Sequence, residues 1–135
     1  MTISLEYAHV TVNDVEESLG FYRDGLGLEV LNDVAHGEFR WVTLGSPAQP
    51  GLGIVLSAPH AGRSQADGDA LQELLTKGVL PMVMFSTDDL DALFEKVSSS
   101  GVGEVLQEPT DQPWGPRDCS FRDPSGNMVK VSQAS

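Results

Sequence analysis

The chain has 135 residues, of which 40% are hydrophobic and 21% are charged, and this size and composition are typical of one globular domain. Its formal net charge of −12, with 8 basic residues among 20 acids, argues against nucleic-acid binding through clustered Lys and Arg. Without an apolar run of ~18–20 residues or an N-terminal signal core, we expect a cytoplasmic protein with no membrane partner. The single cysteine, Cys119, is expected to be buried in a reducing compartment.

The first half of the chain has the pattern of one strand, one helix and three further strands. Residues 5–12 are rich in β-branched and aromatic types, which favours a strand. Asn13 or Asp14 can cap a helix whose apolar residues recur at helical spacing, and Gly25 and Gly27 can end it. The three further strands are predicted over residues 29–33, 39–44 and 52–58.

The second half repeats this order. A strand is predicted over residues 82–87, followed by a helix that Asp88 or Asp89 can cap and Gly101 can end. Three strands follow over residues 104–108, 118–122 and 128–131. A polar connector and a short helix over residues 69–77 separate the halves. We therefore predict an α+β fold of two βαβββ modules: module one 1–59, connector 60–79 and module two 80–135.

The two halves are also related residue by residue at an offset of 75. Residues 12–16, 29–33 and 54–57 align at this one offset with residues 87–91, 104–108 and 129–132. Two fused copies of one unit usually pack about a pseudo-twofold axis. A concave site shared between the copies is then the expected place for chemistry.

Three motifs carry a resemblance to a known family. They are Val12-x-Asp14 with FYRDGLGL at residues 21–28, PWGPRD at 113–118 and FRDPSGN at 121–127. On these motifs the chain resembles the vicinal oxygen chelate superfamily, the family of glyoxalase, bleomycin resistance proteins and extradiol dioxygenases. The resemblance implies a glyoxalase-like fold in which two modules curl into an eight-stranded cup, and it implies a homodimer.

Metal-dependent members of that superfamily bind a divalent ion through His, Glu or Gln residues on the first and last strands of each module. The resemblance places these positions at Tyr7, Val55, Met82 and Lys130, and the offset of 75 independently pairs Tyr7 with Met82 and Val55 with Lys130. Valine has no donor atom, a thioether favours soft ions, and an ammonium group repels a cation. We therefore expect neither the family's metal nor another cofactor, although a displaced divalent site remains an alternative.

Two polar residues are candidates for chemistry in the predicted cup. His9 lies two residues after Tyr7 and should share its strand face, where three interpretations stay open: a displaced metal ligand, a general base or hydrogen-bond partner of a ligand, and a structural histidine. Lys130 should also face the cup. It is interpreted as an anchor for an anionic or carbonyl group, as a base or Schiff-base lysine, or as one half of an internal ion pair.

Three further residues complete the predicted ligand site. Met82 and Met84 share one strand face, and soft thioethers often line pockets for flat or apolar ligands, with a core role as the alternative. Trp114 should either stack on a ligand or fix its loop, which an Arg117–Asp118 pair is expected to hold. The predicted ligand-binding set is Tyr7, His9, Val55, Met82, Met84, Trp114 and Lys130.

The favoured function is metal-free binding of a small organic ligand in the cup, as in the bleomycin-binding branch. One alternative is a metal-dependent lyase, isomerase or dioxygenase that uses a shifted site, with His9 and Lys130 as candidate catalytic residues. The other alternative is a structural or regulatory dimer without a ligand.

Overall fold

Each half of the chain folds in the predicted order of elements, and the predicted α+β fold of tandem βαβββ modules is confirmed. The computed structural model describes residues 1–134; Ser135, the last residue of the predicted second module, lies outside them. The first half contains β1 (Tyr7–Thr11), α1 (Val15–Leu19) with a π-helical turn (Gly20–Gly25), β2 (Glu29–His36), β3 (Phe39–Gly45) and β4 (Gly53–Ser57). The second half contains β5 (Val83–Thr87), α3 (Leu90–Ser100), β6 (Glu104–Asp111), β7 (Arg117–Arg122) and β8 (Met128–Gln133), and α2 (Gln65–Lys77) connects the halves.

The strands form two mixed sheets of the same topology. Their strand orders are β1-β4-β3-β2 and β5-β8-β7-β6, with the first and last strands of each half paired in parallel. Across residues 1–134 no strand ladder joins one sheet to the other, so the eight predicted strands form two four-stranded sheets rather than one closed sheet. None of the helices in this part of the chain is long and apolar enough to cross a membrane.

Aspartates at equivalent positions begin the helices of the two halves. The carboxylate of Asp14 accepts a hydrogen bond from the amide of Glu17 at 3.0 Å, and that of Asp89 accepts one from Ala92 at 3.1 Å. Both are N-cap contacts that satisfy an otherwise unpaired amide of the first turn. The 75-residue repeat is thus visible in the capping chemistry as well as in the strands.

The connector helix α2 begins four residues earlier than the predicted residue 69, at Gln65. Ser64 supplies the N-cap, since its hydroxyl accepts a hydrogen bond from the amide of Asp67 at 3.1 Å. Gly78 ends the helix in the left-handed conformation with φ of 71°, which a residue without a Cβ adopts at little cost. The first helix also differs from an ordinary α-helix, because the amide of Leu26 donates to the carbonyl of Phe21, five residues earlier, at 2.8 Å.

One hydrophobic core connects the two halves. Each sheet contributes side chains to this core. Leu44 and Leu56 come from the first sheet, and Phe121 and Val129 come from the second. Phe21 on the π-helical turn packs edge-on against Phe121, with ring centroids 6.1 Å apart. The opposite faces of β1 and β5 are turned away from this core and are therefore available for a site.

The turn between β7 and β8 fixes the second half to the first. The Nδ2 of Asn127 donates to the carbonyl of Thr11 at 2.8 Å, and the amide of Asn13 donates to the hydroxyl of Ser125 at 2.8 Å. Asn127 and Ser125 are buried, so these bonds are shielded from water. They hold the end of β1 against the second sheet.

Candidate functional site

On the first sheet, the outward face of β1 and β4 carries three of the predicted site residues. Tyr7 and His9 lie two residues apart on the same face of β1. His9 lies directly beside Val55 of β4 in the parallel register. Tyr7 is 45% exposed whereas Val55 is only 6% exposed. The face is therefore apolar at its centre and carries polar groups along the β1 edge.

On the second sheet, the equivalent face carries methionines and a lysine. Met84 lies directly beside Lys130 in the parallel register of β5 and β8, which is the relationship of His9 to Val55 in the first sheet. Met82 precedes β5 by one residue, and both methionines remain largely exposed. The repeat thus places a thioether in one half where the other half has an imidazole.

The edges of β1 and β5, together with α2, border one cavity of about 530 Å³. Its lining is mostly apolar, with a few polar groups on β1, on the connector and on the β7–β8 turn. The lining residues are Ala8, His9, Val10, Thr11, Ile54, Arg63, Leu71, Leu80, Pro81, Met82, Val83, Met84 and Asn127. The cavity lies between the two sheets and draws residues from both halves.

This cavity gathers three of the seven predicted site residues, namely His9, Met82 and Met84. Tyr7, Val55 and Lys130 lie on the same strand faces but are not among its lining residues. Trp114 is 69% exposed in the loop between β6 and β7, also away from the cavity. Of the positions that the resemblance assigns to a metal, the cavity contains only Met82.

Lys130 belongs to a polar network on the outward face of the second sheet. Its Nζ lies 3.8 Å from Oδ2 of Asp118, whose side chain is only 4% exposed. Nε2 of Gln112 donates to Oδ1 of the same carboxylate at 2.8 Å and to Gln107 at 3.1 Å. The internal ion pair is therefore present, with Asp118 as the partner, and it supplies a counter-charge to a buried carboxylate.

Arg117 does not pair with Asp118, contrary to the sequence expectation. Arg117 donates to Asp91 at 3.1 Å and lies 3.6 Å from Asp111. Neighbouring residues of a strand point to opposite faces, so Asp118 reaches Lys130 on the outward face while Arg117, on the other face, reaches Asp91 of α3. The predicted Arg117–Asp118 pair is not made, and Arg117 lies instead beside Asp111 at the end of β6.

The donor set at the family's metal positions does not fit a divalent ion. Val55 has no donor atom, Lys130 carries a cation that already faces Asp118, and Met82 offers only a soft sulfur. Within residues 1–134 no three His, Cys, Asp or Glu side chains are grouped closely enough to hold a metal. His9 therefore does not belong to a group of three such side chains that could share an ion in this part of the chain.

The remaining histidines lie outside the cavity. His36 ends β2, and His60 lies in the connector, where its Nε2 is 2.8 Å from Oδ1 of Asp69. The His60 ring covers Gly68 of α2, where any side chain would collide with it. The contacts of His60 hold it against α2. Its hydrogen bond to Asp69 is the chief cause that lowers the pKa of this carboxyl group.

Arg63 is the charged residue of the cavity lining, and the sequence did not predict it. It stands in the connector, which has no counterpart in the repeat and no motif of the resemblance. Its Nη1 donates to the carbonyl of Pro59 at 3.1 Å. Its place beside the cavity depends on the path of the folded connector.

These features agree with a match of residues 4–131 to the model of the Glyoxalase/Bleomycin resistance protein/Dioxygenase superfamily. The chain belongs to this superfamily. The match covers both sheets, the connector and nearly all of the cavity-lining segments, so the predicted family is confirmed.

Several known proteins are similar to this chain over nearly its full length. YurT of Bacillus subtilis (strain 168), an uncharacterized protein, is 30% identical, over 92% of this chain and 94% of its own length. The crystal structure of UcmS2 superposes with a TM-score of 0.85 at 28% identity, covering 99% of this chain and 100% of that one. TnmS3, an antibiotic-binding protein from Streptomyces sp. CB03234, superposes with a TM-score of 0.75 at 26% identity, covering 100% of this chain and 99% of that one.

Proposed function

We propose that this protein binds and sequesters a small organic molecule without using a divalent metal. The observation that carries the proposal is the cavity of about 530 Å³ between β1, β5 and α2. Its volume lies within the roughly 300–1,000 Å³ of small-molecule sites, and its lining combines apolar side chains with a few polar groups, as such sites usually do.

The lining favours a flat or partly aromatic ligand. Met82 and Met84 are flexible, polarisable side chains that can adapt to a ring face. Leu71 of the connector helix α2 and Leu80 before β5 supply further apolar surface. Binding therefore buries apolar area of the ligand, and His9 and Thr11 provide hydrogen bonds that fix its orientation.

Two observations favour binding over the metal-dependent lyase, isomerase or dioxygenase. The residues at the family's metal positions lack suitable donors, and His9 is not part of a group of three His, Cys, Asp or Glu side chains among the described residues. Chemistry of that type stabilises an oxyanion by bidentate oxygen coordination to the ion. Lys130 is a weak substitute, since its charge is already offset by Asp118.

The similarity to TnmS3 supports a natural-product ligand. That protein is described as antibiotic-binding, and its similarity to this chain extends over nearly the full length of both proteins. We therefore propose an aromatic or peptide-like antibiotic, or a molecule of similar shape, as the ligand class. We further propose that the protein acts in the cytoplasm, where its one cysteine stays reduced.

A homodimer is part of the proposal. Large apolar side chains on the outward strand faces remain exposed, including Tyr7, Leu31 and Val34, and Trp114 is exposed in the loop between β6 and β7. Association with a second copy would remove these side chains from water. The alternative of a regulatory dimer without a ligand predicts the same association but an unused cavity.

The test is a calorimetric titration of tag-free protein with a panel of aromatic and peptide-like antibiotics, with and without a chelator, alongside metal analysis of the same sample. We expect saturable binding that the chelator does not change. Stoichiometric zinc, nickel, manganese or iron that ligand binding requires would favour the enzyme alternative. A panel without any binder, together with a stable dimer, would favour the regulatory alternative.

A further inference from the structure

We propose that the ligand of this cavity carries an acidic group, a carboxylate, sulfonate or phenolate, which Arg63 and His9 recognise. This inference rests on the proposed binding function and names the chemical class of its ligand. Both residues line the same cavity, whose remaining walls are mainly apolar. The expected ligand is therefore an apolar body with one anionic oxygen group.

The charge of the cavity is opposite to that of the chain. Acids outnumber bases by 20 to 8 in the sequence, yet no lining residue is acidic and one is an arginine. The lining therefore carries a positive side chain and no acidic one, in a protein whose net charge is −12. It removes the repulsion that an anionic ligand would meet elsewhere on this surface.

Arg63 is also free to bind an anion. Arg23, Arg40 and Arg117 each lie within ion-pair distance of at least one carboxylate. Arg63 and Arg122 make no such pair among residues 1–134, and of these two only Arg63 lines the cavity, where it donates to the carbonyl of Pro59. That bond occupies one donor of a group that has five and leaves the others available.

Attachment to Pro59 orients the guanidinium before the ligand arrives. The 3.1 Å bond from Nη1 restricts a side chain that would otherwise sample many rotamers. A preoriented guanidinium can donate two parallel hydrogen bonds to a carboxylate or sulfonate. His9, on the β1 edge of the cavity, adds a donor, because even a neutral imidazole carries one ring N–H.

The test compares two fluorescent probes that differ by one sulfonate group. They are 8-anilinonaphthalene-1-sulfonate and N-phenyl-1-naphthylamine, which has the same ring system without the sulfonate. Both are titrated into the full chain at about 0.15 M salt, where long-range repulsion is screened beyond ~8 Å. The variants are Arg63→Gln, His9→Leu and, as a control for charge alone, Lys96→Gln on α3.

We expect Arg63→Gln to weaken binding of the sulfonate about tenfold and to leave the neutral probe within about twofold, the effect of losing one charge-assisted contact. His9→Leu should lower the ratio of the sulfonate's affinity to the neutral probe's affinity by a smaller factor than Arg63→Gln does. Lys96→Gln should leave both affinities unchanged. An affinity ratio in Arg63→Gln that equals the ratio in Lys96→Gln would overturn the assignment of an acidic ligand.

A cavity-filling variant separates failure of this inference from failure of the binding function. Met84→Trp adds volume at a side chain that lines the cavity and is 63% exposed, so the folded core is not disturbed. Loss of binding of both probes in this variant locates them in the cavity. If both probes bind there with no dependence on Arg63, the inference is wrong and the binding function stands. If neither probe responds to Met84→Trp, both are wrong.

Discussion

The hydroxyl of Tyr22 donates a hydrogen bond to Oδ2 of Asp123 at 2.7 Å, and both residues are buried. Tyr22 lies on the π-helical turn of the first half, whereas Asp123 begins the turn between β7 and β8 in the second. The same carboxylate accepts hydrogen bonds from the amides of Ser125 and Asn127 at 2.9 Å each. One side chain thus organises the turn and binds it to the other half of the protein.

Tyr22→Phe should lower the free energy of unfolding by about 2 kcal/mol. It removes a buried hydrogen bond to a charged acceptor and keeps the ring that packs against Phe21. Urea denaturation followed by circular dichroism measures the change. The control is Tyr7→Phe, since the Tyr7 side chain is 45% exposed and should contribute less than about 0.5 kcal/mol. Equal midpoints for the two variants would show that the bond to Asp123 contributes nothing.

The same tyrosine should make the protein sensitive to alkali. Burial, with a smaller contribution from the neighbouring Asp123 carboxylate, raises the pKa of Tyr22 well above 10.0. The stabilisation is complete below the unfolded pKa near 10, because both states are then protonated. Above it the unfolded chain loses the proton first, so stability falls by up to about 1.4 kcal/mol per pH unit.

Denaturation curves between about pH 8 and about pH 11 should therefore converge for wild type and Tyr22→Phe, because only the wild type carries this titration. Cys119 titrates in both proteins and cancels in the comparison. A gap between the two curves that stays constant with pH would contradict the assigned shift.

Cys119 should be unreactive in the folded protein. Its side chain is buried, and burial, together with the nearby charge of Asp118, raises the pKa of the thiol to about 11. The thiolate is the reactive form, so iodoacetamide at about pH 8 should label Cys119 only through unfolding. Mass spectrometry of the labelled protein should show labelling that accelerates with urea. Rapid labelling without denaturant would mean that β7 opens locally.

Local sequence signals predicted the architecture well where the physics is local. Asp14 and Asp89 cap their helices as expected, because a carboxylate two or three residues before an amide needs no distant partner. The strand bounds agree to within a few residues, since enrichment in β-branched and aromatic residues is a property of each segment alone.

The 75-residue offset fails in the third strand of each half, for a reason that the sequence does not display. Leu44 pairs with Ile54 and Phe121 pairs with Val129, so Phe121, 77 residues after Leu44, is the structural equivalent. The loop before β7 is longer than the one before β3, and the loop after β7 is correspondingly shorter. Because of these two loop changes, a comparison at constant offset does not align β3 with β7, although the two strands are structurally equivalent.

The partners of the site residues were harder to predict than the residues themselves. The sequence predicts that Lys130 faces the cup, but its partner Asp118 depends on the pairing of β7 with β8. Arg63 joins His9 in the cavity only through the path of the connector. Such contacts are set by tertiary structure, which spacing along the chain does not encode.

The exposed apolar faces predict that the protein is a dimer in solution. Light scattering coupled to size-exclusion chromatography should give twice the mass of one chain at micromolar concentration. Leu31 is 56% exposed and covers Gly45 on β3, so Leu31→Asp should weaken association without unfolding the sheet. Lys96→Asp, on an exposed helix surface, is the matched control. A wild-type protein that elutes with the mass of one chain would contradict the proposed homodimer.

The pair of Lys130 and Asp118 should show coupling in a double-mutant cycle. Lys130→Met leaves the Asp118 carboxylate, 4% exposed, with Gln112 as its donor, and should cost roughly 1–3 kcal/mol. Asp118→Asn should cost less, because the Lys130 side chain is 24% exposed and can turn to water. In the double variant neither charge is left unpaired, so the stability that it loses should be smaller than the two single losses together by about 1 kcal/mol.

Urea denaturation measures the stability of all four proteins. The control is Arg117→Gln, which breaks an exposed pair with Asp91 and should change stability by less than about 0.5 kcal/mol. Strictly additive losses would mean that the ammonium does not compensate the buried carboxylate, and that Lys130 is instead free to contact a ligand.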